Sequence, residues 1–117
     1  MNDISQEMQG KIMQFQQLQQ QIQVIAQQKY QIEMQVTELE KTIEELGKLK
    51  KGAEVYKSVG TILVRNDDRE GLKKELQDKK ETLEIRIKTL GNQDKTLREM
   101  HQNLQKELTE ALQKEKA

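Results

Sequence analysis

Proline, cysteine and tryptophan are absent from the 117 residues, and the aromatic complement is one Phe and two Tyr. Without cysteine there is neither a disulfide framework nor a thiolate metal site, a usage that fits a reducing compartment. With 33% hydrophobic residues and so few large apolar side chains, the chain cannot fill the core of a compact enzyme. Net charge is missing too: twenty basic residues balance twenty acidic ones, so no net field draws the chain to nucleic acid or to an anionic membrane. No apolar run approaches the ~20 residues of a membrane span, and the opening MNDISQEMQG has no apolar signal core, so the expected location is cytoplasmic.

Charged side chains are plentiful at 34%, and Lys, Glu, Gln and Leu dominate, the composition of long water-exposed helices that touch along a narrow stripe. With Phe15 set as heptad position a, the residues Leu18, Ile22, Ile25, Lys29, Ile32, Val36, Leu39, Ile43 and Leu46 fall alternately at d and a. Extended backwards, the register places Lys11 at d, Met8 at a and Ile4 at d. A seam sustained over so many turns predicts a coiled-coil helix over residues 1–46. A second seam runs through residues 67–117, with Leu76, Leu83, Leu90, Leu97, Leu104 and Ala111 at d. Its a positions are mixed: Ile87 and Leu108 are apolar, whereas Lys73, Lys80, Asp94 and His101 are polar. Polar residues in a seam specify register and discourage wrong pairings. Asp67 suits the cap of this helix, with Glu70 reaching back in a capping box. Gly91-Asn92 predicts local weakness or bending, since Gly costs ~1 kcal/mol relative to Ala inside a helix. The eleven Gln between residues 14 and 35 suggest low complexity, but the apolar heptad runs straight through them, so they read as a neutral helix face.

Between the helices, residues 47–66 lose the helical period. Two runs rich in Val and Ile, split by Gly60, read as a β-hairpin. A lone hairpin is marginal in water, and its edges and at least one apolar face need cover, which another subunit can supply. The helices match in length at about 65–70 Å. They are therefore expected to fold back as an antiparallel coiled coil with both chain ends at the far tip, a long finger on a small β base.

No catalytic set assembles. The sole His, at position 101, has no Cys and no second His with which to share a metal, and it reads as a polar seam residue. Gly47 and Gly52 have the spacing of phosphate-loop glycines, but Ala53 and Glu54 stand where Lys and Ser or Thr are required. No enzyme activity, cofactor or ATP use is expected. A DNA-binding zipper needs a continuous basic helix before its leucines, and a glycine-punctuated hairpin stands there instead. Near the ends, Ile12 and Met13 at e and f, and Met100 and Leu112 at g and e, lie off the seam. With Ile4, Met8, Leu104 and Leu108, where the seam is expected to fray, they make a soft apolar surface able to repack around varied ligands. The residues alone also admit a second reading, ordinary surface apolars at fraying ends.

The order helix, hairpin, helix, with Glu-Val-Tyr-Lys-Ser-Val-Gly-Thr-Ile-Leu-Val-Arg at 54–65 and Phe-Gln-Gln-Leu-Gln-Gln-Gln at 15–21, closely resembles the β-type subunits of the prefoldin family, archaeal members included. A linker with room for one hairpin departs from the α type, which carries two. The resemblance implies a hexamer of two α-type and four β-type subunits whose hairpins join in a β-barrel platform. The platform bears six coiled coils that enclose unfolded protein. It implies ATP-independent capture of non-native polypeptide at the tips and transfer to a group II chaperonin in the cytoplasm. On the same basis Val55, Tyr56, Val59, Ile62, Leu63 and Val64 would carry assembly. Ile4, Met8, Ile12, Met13, Met100, Leu104, Leu108 and Leu112 would carry client contact. A passive coiled-coil scaffold or tether is the alternative, and it would ignore denatured clients.

Overall fold

A computed structural model describes residues 5–116, so Ile4 lies outside the described residues. Helix α1 spans Gln6–Lys48, strand β1 Val55–Val59, strand β2 Ile62–Asn66 and helix α2 Arg69–Lys116. The chain divides into two compact units. A terminal unit is formed by the described parts of Met1–Tyr30 and Lys88–Ala117, and a hairpin unit by Gln31–Ile87. In each unit α1 and α2 pack against one another antiparallel along the heptad seam.

In the terminal unit, Met8, Leu18, Leu90 and Leu104 are buried, and in the hairpin unit so are Ile32, Val36 and Leu46. Every other a or d residue between Met8 and Ala111 is half-buried, polar ones included. The seam thus forms from both helices as the period predicts, with no fully buried large side chain among the described residues. Four of the polar seam residues meet a particular neighbour. Lys11 reaches Glu107 across the helices at 3.5 Å. His101 stacks on Phe15 with ring centroids 4.2 Å apart and planes 19° from parallel. In the hairpin unit Lys80 Nζ lies 3.5 Å from Glu40. Asp94 accepts from Arg98 Nε one turn along α2 at 2.9 Å. Ion pairs of this kind contribute at most about 1 kcal/mol each, so the two that cross between helices, Lys11–Glu107 and Lys80–Glu40, act more on register than on stability.

The helix ends refine the sequence reading. Ser5 caps α1, its hydroxyl accepting from the Met8 amide at 3.1 Å. The helix continues through Gly47, one turn-fragment beyond the expected end. Helix α2 begins one residue later than expected. Asp68, not Asp67, is its cap, accepting from the Gly71 amide at 2.9 Å. A capping box cannot form because Gly71, not Glu70, occupies the third helical position. Asp67 instead pairs with Arg65 Nε at 3.0 Å. Contrary to the expected weak point, α2 passes through Gly91-Asn92 without interruption. A Cβ at position 91 would stand 3.8 Å from Lys29 Nζ. That is ordinary van der Waals contact, so packing does not demand a glycine here, and the long helix carries the propensity cost of about 1 kcal/mol without a break.

Strands β1 and β2 pair antiparallel, with Val59 opposite Ile62 across a two-residue loop. Gly60 takes φ +60 and Thr61 does not enter the positive-φ region, the pattern of a type II′ turn whose twist matches that of the strands. A second turn precedes β1: the Ala53 amide donates to Lys50 O at 3.0 Å. Gly52 there has φ +89, which a type II turn requires at its third position.

Candidate functional site

Two surfaces carry apolar groups that the helix seam does not use. The first is the hairpin. Because opposite residues share a face, Val55, Val59, Ile62 and Val64 fall on one side with Lys57, and Tyr56 and Leu63 on the other. The chain covers neither side: Val59 is 50% exposed, Ile62 59%, Leu63 71%, Val64 44% and Tyr56 51%, while Val55 is half-buried. A five-residue strand pair with both faces and both edges in water does not hold by itself.

What anchors it within the chain is polar. Arg69, the first residue of α2, donates from Nη1 to Leu49 O at 3.1 Å and from Nη2 to Lys50 O at 2.9 Å and Ala53 O at 3.3 Å. Leu49 and Lys50 follow the end of α1, where helix carbonyls lack intrahelical donors. The planar guanidinium suits this task because its donors diverge in a fixed fork. Lys57 Nζ adds a 2.7 Å contact to Glu75 of α2. On the opposite face the Tyr56 hydroxyl donates to Glu54 Oε2 at 2.8 Å. That bond to a carboxylate, helped by slight desolvation, holds the phenol above its ordinary pKa. Composition gave no sign of the Arg69 bridge, since one arginine among many charged residues is not distinguishable without the fold.

The second surface lies at the open end of the terminal unit. Of the residues singled out there, Met13 is 63% exposed, Leu112 49% and Met100 44%. Ile12 and Leu108 are half-buried. The expected fraying does not occur: Met8 and Leu104 are closed in the seam at 5% and 7% exposure. A cleft of about 180 Å³ opens beside Met8 and Leu108, flanked by Glu7 and Lys11. The exposed groups do not form one patch. Met100, at g, lies on one flank of the pair and Ile12 and Leu112, both at e, on the other, whereas Met13, at f, points away from the seam. The surface is two-sided, each side offering a soft, adaptable group.

Among the described residues, no group of three or more His, Cys, Asp or Glu is placed to hold a metal ion. Nor is any helix long and apolar enough to cross a membrane. His101 Nε2 is buried without a hydrogen-bond partner among the described residues. The ring's stacking on Phe15 accounts for its position.

Comparison with known proteins agrees with this geometry. The family model described as prefoldin subunit matches residues 9–115. The chain is 42% identical over 112 residues to prefoldin subunit beta of Archaeoglobus fulgidus, covering 96% of each. It is 40% identical over 108 residues to prefoldin subunit beta of Sulfurisphaera tokodaii, covering 92% of this chain and 86% of that one. The crystal structure of the prefoldin beta subunit from Thermococcus strain KS-1 superposes with a TM-score of 0.86 at 36% identity, covering 96% of this chain and 97% of the other. With the helix, hairpin, helix order, the paired seams and near-complete coverage all in agreement, the chain belongs to the prefoldin subunit family of chaperones, in its β type.

Proposed function

We propose that this chain is one subunit of a hetero-oligomeric holding chaperone that captures non-native polypeptides without ATP. The hairpin surface of Val55, Tyr56, Val59, Ile62, Leu63 and Val64 joins α-type subunits and other copies of this chain in an α2β4 hexamer. Client contact falls to Met13, Met100 and Leu112, with Ile12 and Leu108 beside them. Met8 and Leu104 hold the seam shut beneath, and Ile4, outside the described residues, is proposed as a further client contact. Held clients pass to a group II chaperonin in the cytoplasm. No enzymatic step, cofactor, nucleic acid or membrane takes part.

The observation that carries this reading is the exposure of Met13, Met100 and Leu112 at 63%, 44% and 49% beside a closed seam. Each side chain is left in water by a fold that has no use for it. Methionine and leucine there repack around varied apolar segments at low cost. One such contact is weak, and several subunits acting on one client supply the avidity.

The test substitutes Met13, Met100 and Leu112 by Asp in the full chain, assembles it with an α-type partner, and follows aggregation of a denatured protein diluted without nucleotide. None of the three sites is in the seam, so assembly and helicity are expected to stay unchanged while suppression of light scattering is lost. Full suppression by the triple variant would remove the client assignment. Failure of the unsubstituted assembly to suppress scattering would leave a coiled-coil scaffold as the function.

A further inference from the structure

The terminal unit carries a long open groove of about 920 Å³ on the side of the pair away from Ile12 and Leu112. Positions 17, 20, 21, 24 and 25 of α1 line it opposite positions 89, 92, 93, 96 and 97 of α2. In heptad terms both sets read c, f, g, c, d. Two antiparallel helices that contribute the same positions in the same order are related by an approximate two-fold axis through the groove.

Its chemistry is also unlike the rest of the surface. In a chain with 34% charged residues, not one of the ten lining residues is charged. Val24, Ile25 and Leu97 form an apolar floor, and Gln17, Gln20, Gln21, Asn92 and Gln93 stand around it. Among the described residues, none of these five amides is bonded to another protein group. Each offers both donors and an acceptor. The groove continues toward the exposed methionines: Met13 precedes Gln17 by four residues and Met100 follows Thr96 by four, the spacing of neighbours on one helix face.

We propose that this groove holds a short, uncharged stretch of extended client polypeptide by its backbone, and accepts it in either chain direction. The inference rests on the holding function proposed above and adds to it a second kind of contact, amide to backbone. A neutral lining rejects charged segments, which lose hydration on entry and find no counter-charge. Side-chain amides match the N–H and C=O groups that every residue presents, so the contact ignores sequence. The lined length, nine residues of helix spanning about 12 Å, takes roughly four extended residues. The two-fold pairs Gln20 with Asn92, Gln21 with Gln93 and Ile25 with Leu97, while Gln17 and Val24 correspond to Thr89 and Thr96. Both walls thus carry amides that can donate or accept, so a backbone and its reverse each find partners, and a holder of unrelated chains benefits from that indifference. The methionines would take a client's apolar side chains while the adjoining backbone lies in the groove.

The test places the photo-crosslinker benzoylphenylalanine at Val24, 51% exposed in the groove, or at Met100, in the full-length chain. The probe is a twelve-residue peptide of Ala, Leu, Ser and Gln. It is compared with the same composition in reversed order and with a form N-methylated at alternate residues. Both directions are expected to crosslink at position 24 with similar yield. Methylation, which removes backbone donors, is expected to weaken capture there about tenfold. Crosslinking at position 100 alone, or in one direction only, or at position 24 to a second copy of the chain, would overturn the groove assignment and leave the holding function standing. Silence at both positions would count against the holding function itself.

Discussion

Replacing Arg69 by Met tests whether one guanidinium ties the hairpin to the helices. Methionine keeps an apolar stem and removes all the donors. The three bonds, to Leu49, Lys50 and Ala53 carbonyls at 3.1, 2.9 and 3.3 Å, are charge-assisted. A buried bond of this class has a net value of about 1.5–3 kcal/mol. Arg69 is only half-buried, though, and carbonyls released by the substitution return to water. The loss is therefore set at about 2 kcal/mol for all three together, well below three times the buried value. Nothing else among the described side chains bridges the turn before β1 to the start of α2, so the loss is local. Native-state hydrogen exchange is the assay. Amides of Lys57 and Val64, opposite one another in the ladder, are expected to lose about thirtyfold in protection. Amides near Leu18 and Leu97 in the terminal unit are expected to keep theirs. Arg69→Lys, which offers one flexible ammonium in place of a fork, is expected to fall in between. A loss below about threefold at the hairpin, or an equal loss in both units, would refute the argument.

Ile62→Lys puts a charge on a strand residue 59% exposed in the single chain. If partners cover that face, burying an unpaired ammonium costs several kcal/mol. Association with an α-type partner, followed by light scattering, is expected to weaken by at least about a hundredfold with helicity unchanged. Leu18→Ala, at a seam position 4% exposed, is expected to cost about 2–4 kcal/mol in urea unfolding. Val24→Ala, 51% exposed, is expected to cost less than about 0.5 kcal/mol. Equal effects would contradict the seam. In a Tyr30→Phe background, phenolate absorbance is expected to show Tyr56 ionising above its ordinary pKa and returning to it in Glu54→Gln. The raised value means the native state holds the proton more tightly. The bond's contribution is then present while the phenol is protonated and lost as pH rises through the folded pKa.

Much of this fold is legible in one dimension. Burial in a two-helix coil follows a spacing of three and four, so every seam residue from Met8 to Ala111, including Lys29, Asp94 and His101, could be assigned by counting. The hairpin was equally open to reading, because β-branched runs around Gly60 stop the helical period and the turn needs positive φ there. The helix ends were less so. Asp67 and Asp68 are chemically identical candidates, and the choice of Asp68 depends on where the strand ends at Asn66, whose carboxamide accepts from the Asp68 amide at 2.9 Å.

The sequence by itself determined which residues enter the seam, where the chain turns and which family it joins, since each depends on local spacing or on a contiguous motif. Only the tertiary structure decided which residues meet across the helices. Register pairs Phe15 with His101 and Lys11 with Glu107. It also closes Met8 and Leu104 where fraying was expected and joins two helical stretches far apart in the chain into one neutral groove. Periodicity says that a residue faces a partner helix. Which residue it faces depends on how two distant segments align along their length, and that alignment is set by the sum of many weak contacts that no single stretch contains.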